Sequence, residues 1–234
     1  MSQYGEENFL IMISRLLRNI KFWCLLGVAG AALLWITSGG GPYWLTEPFL
    51  YLIFFIGLWL DSHYHFRERI TLSRGKAVFL YFVIFLATAM VYETTLSPSL
   101  ASLESFSGYH MFVSYLAFAI FNLFLIRRYH YTFKELYFAA GAASLLEGVV
   151  FNGALIVVLL SPTFFLAPLA FAHYMLVYGV IFCMPFIFIR EELLWGPVET
   201  TISFWRKMLY AFILTFFGWL IWVGWIQIVD VLSR

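Results

Sequence analysis

Apolar residues run along the chain in seven long blocks, roughly 22–38, 47–65, 77–96, 109–126, 136–160, 163–189 and 208–230, each closed by a short polar or charged segment. Most blocks reach the ~20 residues that a helix needs to cross a hydrocarbon core of about 30 Å. Each is predicted to be helical, because lipid cannot hydrogen-bond an exposed backbone N–H or C=O. The strict alternation of a membrane barrel strand is absent. Ahead of the first block, Asn8 to Ile20 is amphipathic. Phe9, Ile13, Leu16, Leu17 and Ile20 share one helical face, while Asn8, Arg15, Arg18 and Asn19 share the other, which predicts an interfacial helix. The expected fold is all-α: a polytopic membrane helix bundle of about seven transmembrane helices. It has a tail over 1–21 and a single transmembrane domain over 22–234.

The short polar segments carry a second signal. Arg15, Arg18 and Lys21 precede the first block, and Arg67, Arg69, Arg74 and Lys76 join blocks two and three. Arg127, Arg128 and Lys134 join four and five, and Arg190, Arg206 and Lys207 join six and seven. These are 13 of the 14 basic residues, all on alternate connections, leaving Arg234 alone on the other side. The positive-inside rule makes the basic side cytosolic. With seven spans the N-terminus is then cytosolic and the C-terminus outside, as expected for a multi-pass protein of the inner (plasma) membrane.

Composition agrees and removes several function classes. Hydrophobic residues make up 63% of the 234 residues and charged ones 12%, against about half and a quarter in soluble domains. A net charge of +1 offers nothing to nucleic acid, so the expected partners are membrane lipids, a lipid-like or isoprenoid ligand, or another subunit of an oligomer or membrane complex. Cys24 and Cys183 lie inside apolar blocks and read as small buried hydrophobes rather than a disulfide. No Walker or GxSxG motif occurs, nor do the paired deep histidines of haem b, and block seven has no interior lysine for a retinal Schiff base. No cofactor and no metal are expected.

Polar residues inside the apolar blocks point to chemistry, since an ionisable group at mid-membrane costs about 2.5–3.5 kcal/mol even on insertion scales. Two lie deep: Glu147 in block five and His173 in block six. The turn at Ser161-Pro162 makes blocks five and six a tight hairpin, which places the two at similar depth, offset by roughly 4–5 Å at 1.5 Å per residue. Ala140, Ser144, Gly148 and Asn152 recur every four residues as a small-residue stripe for helix approach. Pro168 and Pro185 are expected to kink block six beside His173. A carboxyl–imidazole pair suits proton transfer, so Glu147 and His173 are the candidate catalytic residues. Asn152, Ser144 and Tyr178 are the candidate substrate-binding residues. The same pair also suits a simple helix lock.

Three further groups compete for attention. Asp61, His63, His65, His130, Glu191 and Glu192 gather at the cytosolic face, but the HxxxH and HxxHH spacing of di-iron desaturases is absent. Glu191-Glu192 likewise lacks the arginine and later histidines of a membrane CAAX protease, so a solvated belt is the simpler reading. Glu93, Glu104, His110, Gln227 and Asp230 gather outside as a solvated mouth. Trp219, Trp222 and Trp225 read as an aromatic belt. Three functions follow as expectations. The first is a membrane-embedded enzyme acting on a lipid or isoprenoid by acid/base chemistry. The others are a small proton-coupled transporter and a non-catalytic subunit or assembly factor of a membrane complex.

Overall fold

The computed structural model describes residues 19–37, 43–96, 106–151, 153–197, 200 and 202–232. The interfacial helix expected up to residue 20 falls almost wholly outside the described residues, as does Asn152. Among the described residues there are helices and turns and no strand. We number the main helices α1 (Ile20–Thr37), α2 (Tyr43–Tyr64), α3 (Arg74–Leu96), α4 (Phe106–Tyr129), α5 (Phe133–Leu145), α6 (Ala154–Leu160), α7 (Ala167–Cys183) and α8 (Phe204–Leu232).

Four segments among the described residues are both long and apolar enough to cross a membrane: Arg74–Glu93, Phe112–Tyr129, Phe164–Ile187 and Phe204–Ile228. By length and composition these helices suit a membrane protein. Its packing fits lipid as solvent. In α8 only 17% of the apolar span is buried inside the protein, and Phe212, Ile213, Phe216, Phe217, Leu220 and Ile221 face outward. A surface this apolar is stable only against acyl chains. Cys24 and Cys183 are both free thiols, Cys183 buried and Cys24 half-buried.

α7 is the centre of the bundle, with α1 on one side and α5 on the other. Small residues make both contacts possible. A Cβ at Gly30 would lie 2.4 Å from the Leu169 carbonyl oxygen, and one at Gly27 2.6 Å from that of Ala172, so α1 touches the α7 backbone itself. On the other side the Tyr137 ring of α5 lies where a Gly179 Cβ would stand. Without a hydrophobic drive between helices in lipid, such close van der Waals contact supplies much of the association.

Two features depart from the uniform helices that the apolar blocks predict. Block five is discontinuous. α5 opens on a capping box, in which the Thr132 hydroxyl accepts from Glu135 N–H and the Glu135 carboxylate accepts from Thr132 N–H. It then passes into a π-helical turn over Leu146–Phe151, and Gly153, at φ +66°, separates it from α6. Only glycine takes that φ cheaply. The break folds Leu155 back onto Gly148, so part of the small-residue stripe is filled by the same block rather than by a neighbouring helix.

Block six also differs. Pro168 sits in the first turn of α7, where a missing N–H costs no hydrogen bond, and no kink results there. Pro185 marks the other end, where α7 gives way to a 3₁₀ turn over Met184–Ile187. His173 therefore sits on a regular helix, not beside a kink.

Candidate functional site

The deep histidine has a different partner from the one that sequence spacing suggests. His173 Nε2 lies 3.9 Å from Oε2 of Glu47, in the second turn of α2, and both side chains are almost fully enclosed. The hairpin argument for Glu147 assumes an unbroken helix through block five. A π turn holds more residues per turn than an α-helix and so re-aims the side chains along it; Glu147 lies within that turn. Its recorded partner is the Tyr178 hydroxyl of α7.

Glu47 collects donors from three helices. Tyr51, one turn further along α2, donates to Oε2 at 3.3 Å. Trp35 of α1 and Tyr92 of α3 also hydrogen-bond this carboxyl. Next to Tyr92, Glu93 accepts from the Tyr115 hydroxyl of α4 at 2.5 Å. Tyr92 lies within electrostatic reach of Glu47, Glu93 and Glu147 alike, and also of Tyr174. Tyr115 lies near Tyr92 and Tyr178. Three carboxyls, five tyrosines and one imidazole thus lie together, Glu47, Tyr51, Tyr115 and His173 buried and the rest half-buried, and α1 to α4, the π turn and α7 all contribute.

Two details limit what the network can do. At 3.9 Å the Glu47–His173 pair is too long for a direct hydrogen bond, although a hydroxyl between them would bridge it. The other imidazole nitrogen, Nδ1, is buried and has no hydrogen-bond partner among the described residues. The imidazole therefore keeps donor or acceptor capacity for something else.

The remaining sequence-derived candidates are placed less centrally. Ser144 is fully buried, but its hydroxyl is already used by the Gly141 carbonyl of its own helix at 2.7 Å. Asn152 lies outside the described residues. Tyr178 is in the network through Glu147. Sequence reading missed Glu47, Tyr51, Tyr92 and Tyr115, and assigned Glu93 to a solvated mouth. The available signal was that Glu47 and Glu93 each fall within an apolar block near its outer end. Near an end, a carboxylate reads as interfacial unless the neighbouring helices are known.

The constellation expected at the cytosolic face resolves into a clasp. Arg67 pairs with Asp61 at 2.6 Å and Glu191 at 3.7 Å, and donates to the Phe186 carbonyl at 2.8 Å. Glu191 in turn accepts from the Phe133 N–H at the start of α5. His130 stacks on Trp195 and contacts the Gly196 carbonyl. Lys207, buried at the start of α8, pairs with Glu135 at 2.8 Å. No group of three or more potential metal ligands converges among the described residues. Of the tryptophan stripe, Trp219 packs edge-on against Phe118 and Trp222, while Trp225 is exposed.

Compared with protein-family models, with curated proteins and with solved structures, the chain matches none, so its function rests on the geometry above.

Proposed function

We propose that the chain is a seven-span inner-membrane enzyme that acts on a lipid or isoprenoid substrate by acid/base chemistry, with Glu47 and His173 as the proton-handling pair. The observation that carries this reading is the network itself. A helix lock needs one neutral polar side chain, whereas here three carboxyls share one cluster, Glu47 buried and Glu93 and Glu147 half-buried. Glu47 serves as the acid or base, and Tyr51, Trp35 and Tyr92 orient it. A substrate hydroxyl closing the 3.9 Å gap would sit between a carboxyl and an imidazole, in reach of both. Glu147 with Tyr178 supplies a second carboxyl–hydroxyl pair at α7.

The clasp supports the seven-span arrangement with a cytosolic N-terminus. Arg67, Glu191 and Phe133 belong to the connections that follow blocks two, six and four, and they touch one another. Basic connections two to three, four to five and six to seven thus share one face, as the positive-inside reading requires.

A specific observation favours a second reading, a proton-coupled transporter. The π turn and the Gly153 break interrupt block five next to Glu147, and interrupted helices line the ion sites of many transporters. Native mass spectrometry and lipid extraction on gently purified wild type, Glu47→Gln and His173→Asn separate the readings. The enzyme reading expects a co-purifying lipid or isoprenoid whose amount or chemical form changes in both variants while thermal unfolding stays close to wild type. An unchanged lipid profile in two well-folded variants refutes it, and pH-gradient-driven uptake by proteoliposomes, lost in Glu47→Gln, would establish the transporter instead.

A further inference from the structure

The cluster around Glu47 is rich in acceptors and poor in cations. Glu47, Glu93 and Glu147 come from α2, α3 and the π turn, and all three lie within electrostatic reach of the Tyr92 hydroxyl. Each carboxyl is held as an acceptor by a tyrosine: Tyr51 donates to Glu47, Tyr115 to Glu93 and Tyr178 to Glu147. No lysine or arginine occurs in residues 22–66, 77–126, 135–189 or 208–233, and these stretches supply every member of the cluster. The contrast is with the other end of the bundle, where Lys207 faces Glu135 at 2.8 Å.

His173 adds an acceptor that nothing satisfies. The residue is only 8% exposed. Its Nε2 faces Glu47 Oε2 at 3.9 Å, while Nδ1 is buried with no hydrogen-bond partner among the described residues. With the ring proton on Nε2, toward the carboxyl, Nδ1 presents a lone pair that calls for an N–H or O–H donor. A bare metal ion does not suit the arrangement, since no three potential metal ligands converge among the described residues. A primary ammonium does: it carries one positive charge and three N–H donors, which acceptors on different helices can share.

The position of the cluster fits a polar headgroup. Tyr92, Glu93, Glu147 and Tyr178 are half-buried rather than enclosed, so the cluster is reached from the surface of the bundle. It is remote from the Arg67 clasp: Glu47 lies in the second turn of α2, roughly 21 Å along that helix from Asp61, and Glu93 lies in the last turn of α3. With the basic connections cytosolic, that is headgroup depth on the outer side. We infer that the cluster takes a primary ammonium as the polar end of its lipid or isoprenoid substrate, presented from the outer leaflet, which rests on reading the Glu47–His173 cluster as the substrate site. The ammonium sits beside Glu47 and His173, and Glu93 and Glu147 add negative field.

The test offers the full-length protein, in a neutral detergent at neutral pH, a set of amphiphiles of one chain length: dodecylamine, dodecyltrimethylammonium, dodecanol and dodecyl phosphate. Retained molecules are counted by native mass spectrometry. Dodecylamine should be held at one copy per chain and about tenfold more tightly than the others, because it alone brings both the charge and the N–H donors. Glu47→Gln should weaken it about tenfold through a lost charged hydrogen bond. Glu93→Gln, outside the proton-handling pair, should weaken it about fivefold through lost field. If a variant unfolds, the ranking of the amphiphiles on wild type still decides. Dodecyltrimethylammonium or dodecanol held as tightly as dodecylamine, a preference for dodecyl phosphate, or amine retention unchanged in a folded Glu47→Gln overturns the inference. Dodecanol retained by wild type as tightly as the amine, and lost in both Glu47→Gln and His173→Asn, would overturn the ammonium and leave the acid/base reading standing. Failure of that reading shows separately, as a co-purifying lipid profile unchanged in those two variants.

Discussion

Replacing Gly30 by alanine tests the contact on which the bundle's centre depends. The new methyl would stand 2.4 Å from the Leu169 carbonyl oxygen, 3.1 Å from its carbon and 3.2 Å from the Cβ of His173. Ordinary contact begins near 3.4 Å, so α1 must withdraw by about 1 Å or α7 must bend. A flexible side chain could rotate away, but a helix backbone cannot. Overpacking costs about 1–3 kcal/mol, and a clash with backbone belongs at the upper end. Against it stands a gain of ~1 kcal/mol from removing a helical glycine, which leaves a net loss of about 2 kcal/mol. For a chain of this size that corresponds to a fall in Tm of roughly 4–8 °C. The assay is thermal unfolding in detergent, followed by helical circular dichroism. Gly224→Ala in α8 is the control, because no atom of the described residues lies within 4 Å of the added methyl, and it should be neutral or slightly stabilising. A Gly30→Ala protein as stable as Gly224→Ala would refute the direct backbone contact between α1 and α7.

Two further predictions concern the cytosolic side. Lys207→Met leaves Glu135 enclosed without its cation, at a cost of about 2–3 kcal/mol. Lys207→Met with Glu135→Gln should recover most of that loss, and a double variant no more stable than the single one would show that the 2.8 Å pair is not coupled in solution. Topology is checked by impermeant maleimide labelling of single cysteines in a background lacking Cys24 and Cys183. Thr163→Cys should label in intact cells and Ser73→Cys only after lysis, and the reverse order would invert the orientation argued from the basic connections.

Helix content was legible in the sequence because lipid leaves the backbone so few choices: a long apolar block must satisfy its own hydrogen bonds. Membrane residence and the clustering of basic connections followed from the same one-dimensional pattern. His173 was also legible as a polar group needing a partner, since burial of an imaginary neighbour does not enter that argument. Which neighbour it finds was not. The distance from Glu147 to the Ser161-Pro162 turn gave a plausible depth, but depth along a helix says nothing of azimuth once the helix changes type. The π turn at Leu146–Phe151 and the left-handed Gly153 changed it. Pro168 misled in a related way, because a proline kinks a helix interior and merely starts a helix at its first turn, and the sequence does not mark where α7 begins.

Glu47 and Glu93 show the limit most clearly. Each lies near the outer end of an apolar block, where a carboxylate reads as solvated; only the packing of Tyr51, Tyr92 and Tyr115 around them buries Glu47 and half-buries Glu93. Glu93 and Tyr115 are 22 positions apart on separate helices and His173 reaches Glu47 from α7; only Tyr51, one turn along α2, is a local partner. The sequence by itself determined the solvent of this protein, its helices and the charge of its connections, because these depend on composition and local periodicity. Only the tertiary structure decided which carboxyl meets His173 and where an apolar cleft opens between α1, α5, α7 and α8, because both depend on how helices rotate and approach one another, and small residues such as Gly27 and Gly30 fix that approach through contacts that no local pattern encodes.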